Sequence, residues 1–133
     1  MPENMYNTTM KELYTIDGIV KKGAGKGREF GYPTANVSLQ SNIPAGVYVS
    51  QVTVDDKVFK AATFIGSAVT FGDAEYKSES TLLDFDKDIY GKEIRIQLLK
   101  KLRDNANFEN EEMLIEQMEK DMLAARSFFN DIS

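Results

Sequence analysis

The chain has 133 residues, room for one hydrophobic core but not for two. Its 42% hydrophobic content, with eight Phe and six Tyr, predicts a packed globular domain, and 28% charged residues without long single-sign blocks argue against global disorder. With no His and no Cys, disulfides, Ser-His triads, Cys-His nucleophiles and the usual zinc ligand sets are excluded, and a net charge of −5 disfavours a nucleic-acid partner.

The opening Met1-Pro2-Glu3-Asn4 lacks the basic-then-apolar order of a secretory signal. No stretch reaches the roughly 18–20 apolar residues that span a bilayer, so a cytoplasmic protein without a membrane partner is expected. Residues 1–13 read as a tail or loosely docked segment and residues 14–133 as a single domain. Tyr14 to Lys22 reads as a first strand that enters a glycine-rich loop over residues 23–27. Strand signals recur at Gly46 to Val54, Lys57 to Ile65 and Ser78 to Phe85, where β-branched and aromatic residues cluster. Asp55-Asp56 between the first two predicts a hairpin turn. From Glu93 to Leu99, Ile94, Ile96 and Leu98 alternate with Arg95 and Gln97, the pattern of a strand with one face in a core. Several short strands in series imply a barrel or sandwich. The C-terminal stretch changes period: Leu114, Met118, Met122, Ala125 and Phe129 recur at helical spacing, with Ile115 widening the stripe. Asn110 is placed to cap this helix, Glu111 and Glu112 meet the positive end of its dipole, and its apolar stripe is expected to cover the barrel.

Four features carry possible chemistry. Gly23, Gly25 and Gly27 alternate with Ala24, Lys26 and Arg28, and such glycines let backbone N–H groups approach an anion. Lys21 and Lys22 add to a local positive patch suited to a small phosphate ligand; a plain surface loop fits the same residues. Next comes Pro33-Thr34-Ala35-Asn36. In an extended segment Thr34 and Asn36 share one face, aiming two neutral oxygens at one point, an arrangement that suits Mg²⁺ on a nucleotide, although these letters by themselves favour a Pro-Asn turn. Third, Glu79 is a carboxylate on an otherwise core-like strand and, with His absent, a candidate general base; Glu75, Asp84 and Asp86 compete, and a solvent-facing edge residue is the bland alternative. Finally, Lys100, Lys101 and Arg103 follow the last strand and Phe108 precedes the helix. Arg103 could hold a planar ring or a phosphate, or be an ordinary surface charge.

Taken in order, the stretches GIVKKGAGKGREFGYPTANV, PAGVYV, FIGSAVTF, ESTLLDFDKDIYGKEI and LRDNANF resemble the riboflavin kinase family, the flavokinase domain also found fused in bacterial bifunctional FAD synthetases. The resemblance spans roughly residues 14–130. It implies a mainly β fold, a six-stranded antiparallel Greek-key barrel with a C-terminal α-helix, and transfer of the γ-phosphoryl of ATP to the ribityl 5′-hydroxyl of riboflavin to give FMN. It further implies that Thr34 and Asn36 hold Mg²⁺ and ATP phosphate, that Gly23, Gly25, Lys26, Gly27, Arg28, Ile89 and Tyr90 line the nucleotide site, that Glu79 is the catalytic carboxylate, and that Arg103 and Phe108 grip the flavin. Riboflavin and ATP are the expected partners of a monomer, and with no adenylyltransferase domain in view FAD synthesis is not expected. Phe64, Val69 and Thr81 depart from the family pattern, which often has Asn, Pro and His there. A non-catalytic flavin or nucleotide sensor on the same barrel is the alternative reading.

Overall fold

The computed structural model describes residues 12–21, 34–39, 41–67, 76–85 and 87–132. Within them the chain forms strands β1 (Tyr14–Ile19), β2 (Thr34–Ser38), β3 (Gly46–Val54), β4 (Lys57–Gly66), β5 (Lys77–Leu82) and β6 (Glu93–Arg103), then helix α1 (Glu111–Ile132). All pairings are antiparallel, in one sheet of order β1-β6-β3-β4-β5-β2. The portion β6-β3-β4-β5 is a Greek key: two hairpin links, then a strand that returns beside the first. The sheet curls until its edges meet. The Lys21 N–H donates to the Asn36 carbonyl at 2.7 Å, and Gly18 lies so close to β2 that a Cβ there would sit 2.5 Å from Val37 Cγ1.

The alternation read from the sequence holds. Ile94, Ile96 and Leu98 point inward and join Ile16, Val20, Ala35, Val37, Tyr48, Val52 and Ile65 in the interior. Asp55 and Asp56 both adopt positive φ, 51° and 66°, the tight hairpin conformation that short polar side chains tolerate. Three boundaries differ from expectation by three residues or more. β1 ends at Ile19 rather than Lys22. β5 stops at Leu82 rather than Phe85, because the chain turns at Leu83-Asp84 with Asp84 at φ 56°. β6 continues to Arg103, so Lys100, Lys101 and Arg103 lie on the strand instead of after it. Two register shifts against β3 re-aim its side chains, letting Leu99 pack with Val49 and Phe129 beneath the helix.

β5 carries polar residues on both faces, and its inward serines are satisfied internally. Ser50 Oγ, Thr63 Oγ1 and Ser80 Oγ form a buried chain at 2.7 and 2.8 Å, and Ser78 Oγ donates to the Val37 carbonyl at 3.0 Å. Helix α1 starts where Asn110 Oδ1 accepts the Met113 N–H at 2.9 Å. Its Met122 and Ala125 pack on Ala62 and Leu83, and Phe129 packs on Val49 and Leu99, covering the outer face of the sheet. Among the described residues, no helix is long and apolar enough to cross a membrane.

Candidate active site

The outer face of β2, β5 and β4 gathers the polar residues singled out by the sequence. Ala35 and Val37 are buried in the barrel interior, so the intervening Asn36 and the preceding Thr34 face outward. β2 pairs with β5 such that Asn36 stands directly opposite Glu79 and Thr34 opposite Thr81. Directly paired residues share a face with Cβ atoms roughly 4.5–5.5 Å apart, so the amide, the hydroxyl and the carboxylate converge on one patch. Register continues the row in both directions. Lys21 lies opposite Asn36 from the end of β1, with its Nζ donating to Ser38 Oγ at 2.8 Å; Phe64 lies opposite Glu79 on β4, Val47 opposite Phe64, and Arg103 opposite Val47.

Asn36 is the most informative member. It is 4% exposed, and its Oδ1 has no hydrogen-bond partner among the described residues. An acceptor held out of water without a donor costs about 1–3 kcal/mol, so this oxygen is open to a hydrogen-bond donor or a cation. The oxygens of Asn36 and Thr34 suit a hard cation, and no group of three or more carboxylate, His or Cys ligands occurs among the described residues. Such a donor set fits a hard divalent cation that keeps other coordination positions open.

The remaining expected site residues fall into three groups. Ile89 and Tyr90 belong to a turn fastened to the end of β1: the Gly91 N–H donates to the Val20 carbonyl and the Val20 N–H to the Lys92 carbonyl, both at 2.9 Å. Ile89 is buried in the interior cluster, whereas Tyr90 is 58% exposed, next to the point where the chain enters the glycine-rich segment. Gly23, Gly25, Lys26, Gly27 and Arg28 lie outside the described residues, as do Val69, Glu75 and Asp86. Arg103 sits three strands from Glu79 in the same row, and Phe108 is half-buried two residues before the helix cap.

The Arg103 guanidinium is already engaged. Its Nε and Nη2 donate to Asp121 Oδ1 and Oδ2 at 2.9 and 2.8 Å, its Nη1 donates to the Asp104 carbonyl at 3.0 Å, and Gln117 Nε2 donates to Asp121 Oδ1 at 3.0 Å. The fork is therefore fixed in orientation. Sequence reasoning missed Asp121; its signal was a carboxylate adjoining Met122 in an otherwise apolar helical stripe. Of the competing carboxylates, Asp84 is held by Arg126 at 2.8 and 3.2 Å on the surface, and that guanidinium lowers its pKa from the ordinary 3.8. Its geometry assigns it to fastening the helix, not to the row.

Comparison with known proteins places the chain in a family and a fold. A family model described as riboflavin kinase matches residues 10–129. The bifunctional riboflavin kinase/FMN adenylyltransferase of Bacillus subtilis is 34% identical over 132 residues, which is 95% of this chain and 42% of the relative. A trifunctional protein of Mycoplasmoides gallisepticum is 38% identical over 93% of this chain and 19% of its own length, so the chain spans less than half of these relatives. Among solved structures, one titled a macrolide-efflux protein from Streptococcus pneumoniae superimposes with a TM-score of 0.74 at 34% identity over 84% of this chain and 38% of that one. Riboflavin kinase from Trypanosoma brucei shares the fold with a TM-score of 0.60 at 20% identity, over 87% of this chain and 79% of that one. With its matched span covering nearly the whole chain and its strands closing into the same barrel, the protein belongs to the riboflavin kinase family.

Proposed function

We propose that this chain transfers the γ-phosphoryl group of ATP to the ribityl 5′-hydroxyl of riboflavin, giving FMN and ADP. The observation that carries the reading is the register of Asn36 against Glu79: a buried amide whose oxygen lacks a donor among the described residues stands opposite a carboxylate. Thr34 and Asn36 present oxygens to Mg²⁺, which when bound neutralises charge on the phosphates. Glu79 accepts a hydrogen bond from the 5′-hydroxyl, orients it and takes its proton as the new O–P bond forms and the bond from the γ-phosphorus to the β-phosphate oxygen breaks. Lys21 adds positive charge at the edge of the patch. Gly23, Gly25, Lys26, Gly27 and Arg28 would cradle the phosphates, Ile89 and Tyr90 would flank the nucleotide, and Arg103 and Phe108 would hold the isoalloxazine.

The test is direct: purified protein with riboflavin, ATP and Mg²⁺, with FMN followed by chromatography. Replacing Glu79 by Gln keeps the shape and removes the base, so turnover is expected to drop by about two to four decades while both ligands still bind. Absence of FMN from the unmodified protein ends the kinase reading. Full activity of Glu79→Gln ends only the role given to that carboxylate.

A further inference from the structure

The row across the outer face contains an aromatic ring that the reaction as described leaves unused. Phe64 is the direct β4 partner of Glu79 and the direct partner of Val47 on its other side, so it occupies the ground between the carboxylate and Arg103. Its parity places it on the outer face, since Thr63 and Ile65 both point inward. It is only half-buried, and among the described residues it joins neither the interior cluster nor those beneath the helix. Gly66, the next residue of that face, has no side chain to lift the ring: a Cβ there would stand 3.2 Å from Phe64 Cζ and 2.7 Å from Asn105 Nδ2. Asn105 is pinned in turn by donating to the Ile65 carbonyl at 3.1 Å.

The exposed part of the half-buried Phe64 is apolar surface that a ligand can cover. Its two flanks say what that is. On one side stands a carboxylate suited to a hydroxyl; on the other, beyond buried Val47, stands a guanidinium fork held rigid by Asp121. A ligand joining an alcohol to a planar ring system through a short carbon chain would lie across β4 and β3 with its carbon face on Phe64.

We propose that Phe64 is a specificity-determining residue, the apolar floor on which riboflavin rests between Glu79 and Arg103. The inference depends on the kinase reading for the identity of the ligand. A ring that only fills space would let Leu replace it, whereas one that stacks on a planar or carbon face requires an aromatic side chain.

The experiment measures riboflavin affinity by fluorescence quenching and KM for both substrates in Phe64→Ala, Phe64→Leu and Phe64→Tyr, with thermal melting to confirm folding. Phe64→Ala is expected to raise Kd and KM for riboflavin about tenfold and to leave KM for ATP within about twofold; Phe64→Leu falls between, and Phe64→Tyr recovers most of the loss. Should Phe64→Ala not fold, Phe64→Leu carries the comparison. Unchanged riboflavin affinity in the folded Ala or Leu variant overturns the proposal, as does a loss of ATP affinity equal to that for riboflavin. If the parent protein makes no FMN yet binds riboflavin, the kinase reading fails while the affinity difference still decides the floor. If it binds no riboflavin, both fall.

Discussion

Closure of the barrel can be tested where it is tightest. Gly18 of β1 faces Val37 of β2, and a methyl on Gly18 would sit 2.5 Å from Val37 Cγ1, about 0.9 Å short of the 3.4 Å of ordinary contact. Val37 is 2% exposed, and its β-branched side chain has little rotamer freedom with which to retreat. Overpacking of this kind costs about 1–3 kcal/mol, against which loss of glycine's freedom in the unfolded chain returns about 0.4–1 kcal/mol, so Gly18→Ala should destabilise by about 1–2 kcal/mol. Val37→Ala alone removes two buried methyls and should cost about 2 kcal/mol. In the double variant the added methyl occupies space vacated by the removed ones. The two effects should therefore fall short of additivity by about 1 kcal/mol or more, measured from urea midpoints across the four proteins. Additivity within about 0.4 kcal/mol would show that β1 and β2 do not press together at this point, and would refute the account of closure.

Three further outcomes are expected. Asn36→Leu removes an amide oxygen that has no donor among the described residues, so the unliganded protein should be as stable as the parent or slightly more so, while the rise in melting temperature expected of the parent with Mg²⁺-ATP should disappear. Asp121→Asn keeps the shape but leaves the half-buried Arg103 without its counter-charge; with side-chain exposures of 24% and 11% the pair is partly screened, and a loss of about 2 kcal/mol by urea unfolding is expected. Asp84 and Asp104 have pKa values lowered by their bonds to Arg126 and Lys101. Because those folded values lie below the unfolded one, the stabilisation is complete above about pH 4 and is lost as pH falls through the folded values; Asp84→Asn should flatten that acid limb in melting temperature against pH.

Much of the fold was legible because its signals are local. Period-two alternation in Ile94, Ile96 and Leu98 is a property of one strand, the Asp55-Asp56 turn of two residues, and the Asn110 cap of a single side chain over one helical turn. The same holds for part of the site: Thr34 and Asn36 share a face because they are two apart in an extended segment. What the letters could not give was the partner across the strand. Asn36 and Glu79 are far apart in sequence, and nothing within either strand specifies that they stand opposite one another. β5 was read as a strand, but what satisfies Ser78 and Ser80 inside was not legible, because Thr63, Ser50 and the Val37 carbonyl come from other strands. The end of β6 was hidden by Lys100, Lys101 and Arg103, whose charges mask an extended segment that the register shifts turn towards the helix.

The chemistry of the outer face depends on the apolar residues of the inner one. Slipping β2 by one residue against β5 would carry every one of its side chains to the opposite face, placing Asn36 in the interior and Val37 in the site. Burial of Ala35 at 0% and Val37 at 2% makes that slip costly, because two apolar side chains would be exchanged for an amide and a hydroxyl without partners inside. The amide of Asn36 is therefore held on the outer face by the packing of its neighbours. The strand is held by its core residues in the one register that sets Asn36 opposite Glu79, and the barrel's stability is what maintains an amide oxygen without a donor among the described residues.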